Sequence, residues 1–266
     1  MKTVISKDGT RIAYDQSGEG PAVILVDGAL QYRAFDQGMA QLAELLAQEF
    51  TVIHYDRRGR GDSGDTQPYA LEREIEDIDA MIKEAGEPAF LYGISSGGAL
   101  ALEAAARLGN KVKKLAIYEV PYLPEADADS QQRYKAYTTR LDEVLAAGRP
   151  GDAVGAFMML VGASANDVDQ IRQTPFWPMW EAVGHTLAYD AAALGEYSVI
   201  PTERAARVAV PTLVMVGSNT FPFMFETATV LANVIPNAQQ RTLEGQTHEV
   251  DSAALAPVLK EFFNRD

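Results

Sequence analysis

The sequence predicts an α/β fold: a largely parallel sheet covered by helices on both faces, with an all-helical insertion in its second half. Three observations carry this. Strand-like and helical patterns alternate up to Pro121 and resume at Thr212, an order that gives parallel strands with helices packed on either side. The run Ala22–Val26 (AVILV) is continuously apolar, the mark of a strand buried on both faces. Between residues 122 and 203 the alternation stops and only helical or irregular patterns remain, a stretch too long for a simple loop.

The elements follow in order. Residues 2–6 and 10–16 read as two strands around the hairpin signal Lys7-Asp8-Gly9. Ala22–Val26 is the third strand, and residues 35–48 form a helix with Leu42, Leu45 and Leu46 on one face. A strand over residues 51–55 opens into the loop Asp56-Arg57-Arg58-Gly59-Arg60-Gly61-Asp62-Ser63. Ile75, Ile78 and Ile82 recur at spacings of three and four through a helix over residues 71–84. A short buried strand (89–92), an alanine-rich helix (96–108) and a strand (112–118) precede the insertion. After it come a strand (212–216), a helix (225–234), a strand (239–243) and a closing helix (257–263). The core is therefore residues 1–121 and 204–266, and residues 122–203 form a helical lid set on the strand ends.

Composition narrows the function. Charged residues make up 23% and hydrophobic residues 47%, ordinary globular usage. The 23 basic residues against 37 acidic ones give a net charge of −14, which repels phosphate backbones and anionic headgroups and argues against nucleic acid or a membrane surface as partner. Cysteine is absent, which removes disulfides, thiolate metal sites and a cysteine nucleophile. The N-terminus MKTVISKDGT has no apolar core of signal-peptide length, and no apolar run approaches the roughly 18 residues of a transmembrane helix. The expectation is a soluble cytoplasmic protein, a monomer or homodimer.

The sharpest chemical feature is Gly93-Ile94-Ser95-Ser96-Gly97, a G-x-S-x-G pattern between a strand and a helix. A nucleophile on a tight turn leaves no room for side chains two positions before and after it, and Gly93 and Gly97 satisfy that spacing for Ser95. Ser96, flanked by Ile94 and Gly98, does not. The helix beginning at Ser96 also aims its positive end at developing negative charge. A serine needs a base, and there are three histidines to choose from. His54 lies within a strand as a packed residue, His185 lies in the insertion, and His248 follows the last strand on a loop able to hang over the sheet edge. His248 is the candidate base.

Taken together, Val26-Asp27-Gly28, the loop Tyr55 to Ser63, Gly93 to Gly97 and the late His248 resemble the α/β-hydrolase superfamily over nearly the whole chain. The resemblance implies an α/β-hydrolase fold: a mostly parallel eight-stranded sheet flanked by helices, with an all-helical cap. It also implies the order nucleophile, acid, histidine, and an oxyanion hole made by the backbone N–H groups of Ala29 and Ser96. Dehalogenase and epoxide hydrolase chemistry is disfavoured, since those relatives use an aspartate nucleophile where Ser95 stands.

Two positions depart from the family pattern. The stretch Gly217 to Phe223, where many members carry the acid, has no carboxylate before Glu226. The other place the fold offers is the end of the strand after the nucleophile helix, where Glu119 stands. The alternatives for Glu119 are capping the insertion or bridging to Arg33 or Arg58. Asp27 replaces the usual histidine; it either bonds loop amides or tunes the site by a polar contact. Asp56 reads as structural.

No His-x-His or His-Glu-x-x-His spacing occurs and no cofactor or metal is called for. The aromatic and methionine content of the insertion, together with Phe221-Pro222-Phe223, fits an apolar pocket. The candidate lining is Asp27, Leu30, Tyr122, Trp177, Trp180, His185 and Phe221. The sequence thus points to a cofactor-independent serine hydrolase acting on an ester, lactone or related acyl bond of a hydrophobic small molecule. The alternatives are carbon–carbon bond hydrolysis or lyase or cyclase chemistry on a diketone or polyketide-like compound, and a non-catalytic ligand-binding protein.

Overall fold

The computed structural model describes residues 1–86 and 88–265. In chain order the core elements are β1 (Lys2–Ile5), β2 (Arg11–Ser17), β3 (Ala22–Val26), α1 (Gln37–Leu46), β4 (Thr51–Tyr55), α2 (Leu71–Ala85), β5 (Ala89–Ile94), α3 (Ser96–Leu108) and β6 (Val112–Tyr118). The insertion supplies α4 (Ala128–Ala146), α5 (Pro150–Leu160), α6 (Ala165–Ile171), α7 (Trp177–Val183) and α8 (Leu187–Leu194). The chain returns through α9 (Thr202–Ala205), β7 (Thr212–Gly217), α10 (Pro222–Val234), β8 (Ala238–Leu243) and α11 (Ser252–Asn264).

The eight strands form one sheet in the order β1-β2-β4-β3-β5-β6-β7-β8. The pairs β1/β2 and β2/β4 are antiparallel and the remaining pairs parallel. Strands β3, β5 and β7 are buried along their full length, as continuous apolar runs in a doubly covered sheet must be. One core packs α1 and α11 against the sheet through Leu42, Leu46, Leu259 and Phe263. The other packs α2, α3, α10 and the insertion on the opposite face, with Ile78, Leu100, Leu231 and Leu187 among its residues.

The order places β3 and β5 side by side although β4 separates them in sequence. Here the chain reverses direction across the sheet, and the crevice at the C-terminal strand ends is where α/β sheets build sites. Residues 27–31 leave β3 at this point and Ser95 leaves β5.

The insertion leaves the core after β6, and an isolated bridge pairs Leu123 with Val199 where it departs and returns. Helix α8 rests on α3, and Thr227 of α10 donates its hydroxyl to the Tyr122 carbonyl at 2.7 Å. The insertion therefore leaves the core at the C-terminal end of β6 and packs on α3 through α8.

Two helix starts lie three or more residues from the sequence reading. Helix α10 begins at Pro222 rather than near Phe225, because proline is well suited to the first helical position. Helix α11 begins at Ser252 and runs through Pro257. Asp251 caps it by accepting from the Ala253 N–H at 2.8 Å, and this cap, six residues upstream of the proline, sets the start.

Candidate active site

Strand β5 does not end at Tyr92 but continues through Gly93 and Ile94 to a sharp turn at Ser95, whose φ of 54° and ψ of −130° lie outside the ordinary regions. The turn explains both glycines. A Cβ at Gly93 would lie 2.5 Å from the Gly97 carbonyl, and one at Gly97 would lie 2.3 Å and 2.4 Å from the carbonyls of Val26 and Asp27. The helix start thus abuts β3 as well as β5. The Ser95 N–H donates to the Tyr118 carbonyl at 3.0 Å, and the half-buried Ser95 hydroxyl has no hydrogen-bond partner among the described residues.

Ile94 pairs with Tyr118 across β5 and β6, so Ser95 and Glu119 are the first residues beyond adjacent strand ends. Glu119 also has a positive φ, 44°, and its buried carboxylate is fully engaged. Oε1 accepts from the Gly217 N–H at 2.9 Å, and Oε2 accepts from the Thr220 hydroxyl at 3.0 Å. His248 Nδ1 lies 2.8 Å from the same Oε2, which makes Nδ1 the protonated nitrogen and leaves Nε2 as the acceptor. Tyr118 donates to the Thr247 carbonyl beside the histidine. Gly217 allows the loops to meet: a Cβ there would lie 2.3 Å from the Gln246 carbonyl. Glu119 bridges to neither Arg33 nor Arg58, which pair elsewhere. Glu226 is exposed on α10.

After β3 the chain turns sharply. The Gln31 N–H reaches the Gly28 carbonyl at 3.4 Å, and Gln31 Oε1 accepts from the Gly28 N–H at 2.6 Å. Leu30, third in this turn, has a φ of 61°, as type II turns require of that position. The loop lies against Ser95, since a Cβ at Gly28 would be 3.1 Å from the Ser95 Cβ. Neither the Ala29 N–H nor the Ser96 N–H is taken up by a protein acceptor among the described residues. Beside Ser95 the fold therefore leaves two backbone donors free. One belongs to a helix N-terminus, which favours negative charge.

A profile of the Alpha/beta hydrolase family matches residues 23–258. The chain belongs to the α/β-hydrolase family. This α/β-hydrolase is similar to an α/β hydrolase from Sphaerobacter thermophilus DSM 20745, with a TM-score of 0.86 and 52% identity over 99% of this chain and 100% of that one. Human serine hydrolase BPHL is 35% identical over 120 residues, 43% of this chain and 41% of the human protein. The chain thus matches less than half the length of that relative. The enol-lactonase from Burkholderia xenovorans LB400 has the same fold, with a TM-score of 0.67 at 20% identity, over 99% of this chain and 100% of that one.

Elsewhere in the hydrolase the expected pocket residues divide. Asp27 and Tyr122 are 0% exposed, so neither presents surface to a substrate, and both assignments are corrected. The Asp27 carboxylate meets His54 Nε2 at 3.0 and 3.2 Å rather than loop amides. Burial alone would lower the His54 pKa, but Asp27, Asp36 and Asp56 outweigh it and hold it above its ordinary value. Leu30 is buried in the core beneath the turn. Trp177 is buried under the Arg172 guanidinium, 4.7 Å from its ring. His185 sits on the seam between the insertion and the arginine-rich loop, with Nε2 3.4 Å from Asp65. Trp180 packs edge-on against Phe35 at 5.8 Å, and Phe35 also meets Phe176. Phe221 is exposed and stacks with Phe223, directly after the Thr220 that holds Glu119. Among the described residues no cluster of His, Asp or Glu is arranged to hold a metal ion.

Sequence reasoning missed the buried ionic network around the loop after β4. Arg57 forks onto Glu74 at 2.8 Å twice and reaches Asp190 at 2.6 Å. Arg60 reaches Asp190 at 2.7 Å, and Ser96 Oγ donates to Asp190 at 2.8 Å. The signal was three arginines within four positions. Arg57 and Arg60 share a partner, Asp190, more than a hundred residues away, where no local pattern points to it.

Proposed function

We propose that this chain is a serine hydrolase that cleaves a carboxylic ester, lactone or related acyl bond of an uncharged, apolar small molecule. The observation that carries the proposal is the Glu119–His248 pair, 2.8 Å apart, with Glu119 one strand away from the turn of Ser95. In the proposed mechanism His248 Nε2 takes the proton of Ser95 Oγ as that oxygen attacks the carbonyl carbon. Glu119 holds the Nδ1–H tautomer and stabilises the imidazolium. The tetrahedral oxyanion accepts from the N–H groups of Ala29 and Ser96. Collapse expels the alcohol oxygen, which takes the proton from His248. Water, deprotonated by His248, then attacks the acyl-enzyme and releases the acid and free Ser95.

Similarity to human serine hydrolase BPHL over 120 residues supports the serine chemistry. Two features support the substrate class. Phe176 and Phe221 are 56% and 57% exposed, near Trp180 and the Glu119 loop respectively, and offer apolar surface. The net charge of −14 disfavours anionic substrates.

Intact-mass analysis after fluorophosphonate treatment tests the reading. A single adduct on the native chain and none on Ser95→Ala is expected, with apolar acyl esters or lactones turned over faster than acetyl or charged esters. No adduct on folded native protein would sink the proposal. Turnover of a diketone with none on any ester would replace it by carbon–carbon bond cleavage.

A further inference from the structure

Asp190, on helix α8 of the insertion, is buried beneath the site and accepts from three donors of the core: Ser96 Oγ, Arg57 Nη1 and Arg60 Nη2, at 2.8, 2.6 and 2.7 Å. Arg60 spans from the insertion to the turn after β3. Its Nε donates to the Thr186 hydroxyl at 3.0 Å, and its Nη1 to the Gly28 carbonyl at 2.5 Å and the Gln31 carbonyl at 3.2 Å.

The contact at Gly28 bears directly on the reaction. The Gly28 carbonyl and the Ala29 N–H belong to one planar trans peptide and point in opposite directions. A cation held on the carbonyl fixes that plane and polarises the amide, so the N–H on the far side is aimed and strengthened as a donor. The neighbouring peptide makes a useful contrast. Arg57 Nη1 donates to the Asp27 carbonyl at 3.2 Å, but the Gly28 N–H of that peptide is already spent on Gln31 Oε1. Of these two adjoining peptides, Asp27–Gly28 and Gly28–Ala29, only the one held by Arg60 has an uncommitted N–H. The second free donor, the Ser96 N–H, belongs to the residue whose side chain Asp190 holds.

We propose that Arg60 and Asp190 are positioning residues of the oxyanion hole, and that the hole is assembled only while the insertion is docked on the core. The proposal rests on the acyl-transfer reading above. Neither side chain touches substrate; a carboxylate from the insertion orients the arginine, and the arginine orients the amide.

The test compares the native chain with Arg60→Lys, Asp190→Asn and Ser96→Ala, measuring kcat and KM on an uncharged nitrophenyl ester, the rate of fluorophosphonate inactivation, and Tm. Lysine keeps the charge but cannot span Thr186, Asp190 and the Gly28 carbonyl at once. For Arg60→Lys, kcat is expected to fall on the order of 10²-fold, the size of losing one oxyanion donor, with KM within about threefold and inactivation slowed in parallel. Ser96→Ala keeps its backbone donor and every buried charge, so it decides the matter if Asp190→Asn does not fold. Its kcat is expected to fall roughly tenfold at unchanged KM. Folded variants with native kcat overturn the proposal, as do variants whose loss lies in KM alone. If the native chain itself turns over no ester and takes no adduct, the acyl-transfer reading fails and this proposal with it. An active native chain with equally active variants defeats this proposal only.

Discussion

Leu30, Ser95 and Glu119 are three of the four non-glycine residues with positive φ among the described residues, the other being Ser198 where the insertion returns. Each such conformation costs on the order of 1–3 kcal/mol and persists only where its surroundings enforce it. Here the surroundings are identifiable. Ser95 is held by its N–H to Tyr118, Glu119 by its N–H to Met215 and its carboxylate to Gly217, and Leu30 by the turn that Gln31 closes. The strain places Ser95 and Glu119 just beyond the strand ends instead of in the sheet. Glu119→Gln tests the carboxylate at this scale. The amide keeps the shape and can still accept from Gly217, but its NH₂ faces Nδ1 and favours the tautomer whose Nε2 carries the proton. That imidazole cannot take a proton from Ser95. A fall in kcat of about 10⁴-fold is expected, as for the equivalent change in serine protease triads, with Tm shifted by only a few degrees. Steady-state kinetics and a thermal melt on the same sample check it, and a variant with native turnover would remove Glu119 from the mechanism.

At the scale of elements, the segment that shapes the site most is the loop after β4. Its Asp56 is buried and accepts from the Arg33 N–H at 2.8 Å, Arg33 Nη2 at 3.1 Å and the Asp62 N–H at 2.8 Å. Gly61 packs so closely that a Cβ there would lie 2.3 Å from Asp56 Oδ2. Asp56→Ala leaves these donors without an acceptor, and about 3 kcal/mol of destabilisation is expected, or roughly 10 °C in Tm for a chain of this size. Turnover per folded molecule should survive. Chemical denaturation alongside an active-site titration separates the two effects, and a variant of native stability that is inactive would reverse the assignment. The difference in character between Asp56 and Asp190 shows what a sequence can carry. Ser95 was legible because two glycines at fixed spacing report a local steric demand. His248 was legible because three histidines left few choices, and Glu119 because a strand-end carboxylate was missing where many relatives have one. Asp190 was not legible, since its three partners are assembled by the docking of α8, and an aspartate in an irregular helical stretch carries no local signature. Asp27 was misassigned for the same reason. Its partner His54 is one strand away, and only the β3–β4 register brings the two together.

For the molecule as a whole, charge is distributed unevenly between surface and interior. Arg57, Arg58 and Arg60 are buried and paired with Glu74, Asp190, Asp77 and Asp8, so the solvent-facing balance remains strongly acidic. Around β3 and β4, Asp27 contacts the imidazole of His54, and Asp36 and Asp56, the latter also paired with Arg33, add to its electrostatic environment. Burial opposes protonation of His54, yet the carboxylates prevail and raise its pKa above 6.5. Burial followed by the nearby Asp27 raises that of Asp36. The sign for His54 follows directly. A histidine that binds its proton more tightly in the folded state than in the unfolded chain contributes stability that is fully present below the unfolded pKa of 6.5. That contribution is lost as pH rises through the higher folded value. His54→Gln keeps an N–H for Asp27 but cannot carry charge. The native chain should therefore be more stable than the variant at pH 6, and the gap should close as pH rises toward 9. Protonation of carboxylates remote from His54 is common to both proteins and cancels in the difference, whereas Asp36, which His54 acts on, belongs to the same coupled group. Paired urea denaturation curves across this range measure it. A gap that widens with pH would mean that His54 is held neutral, and that Asp27 is stabilised by hydrogen bonding alone.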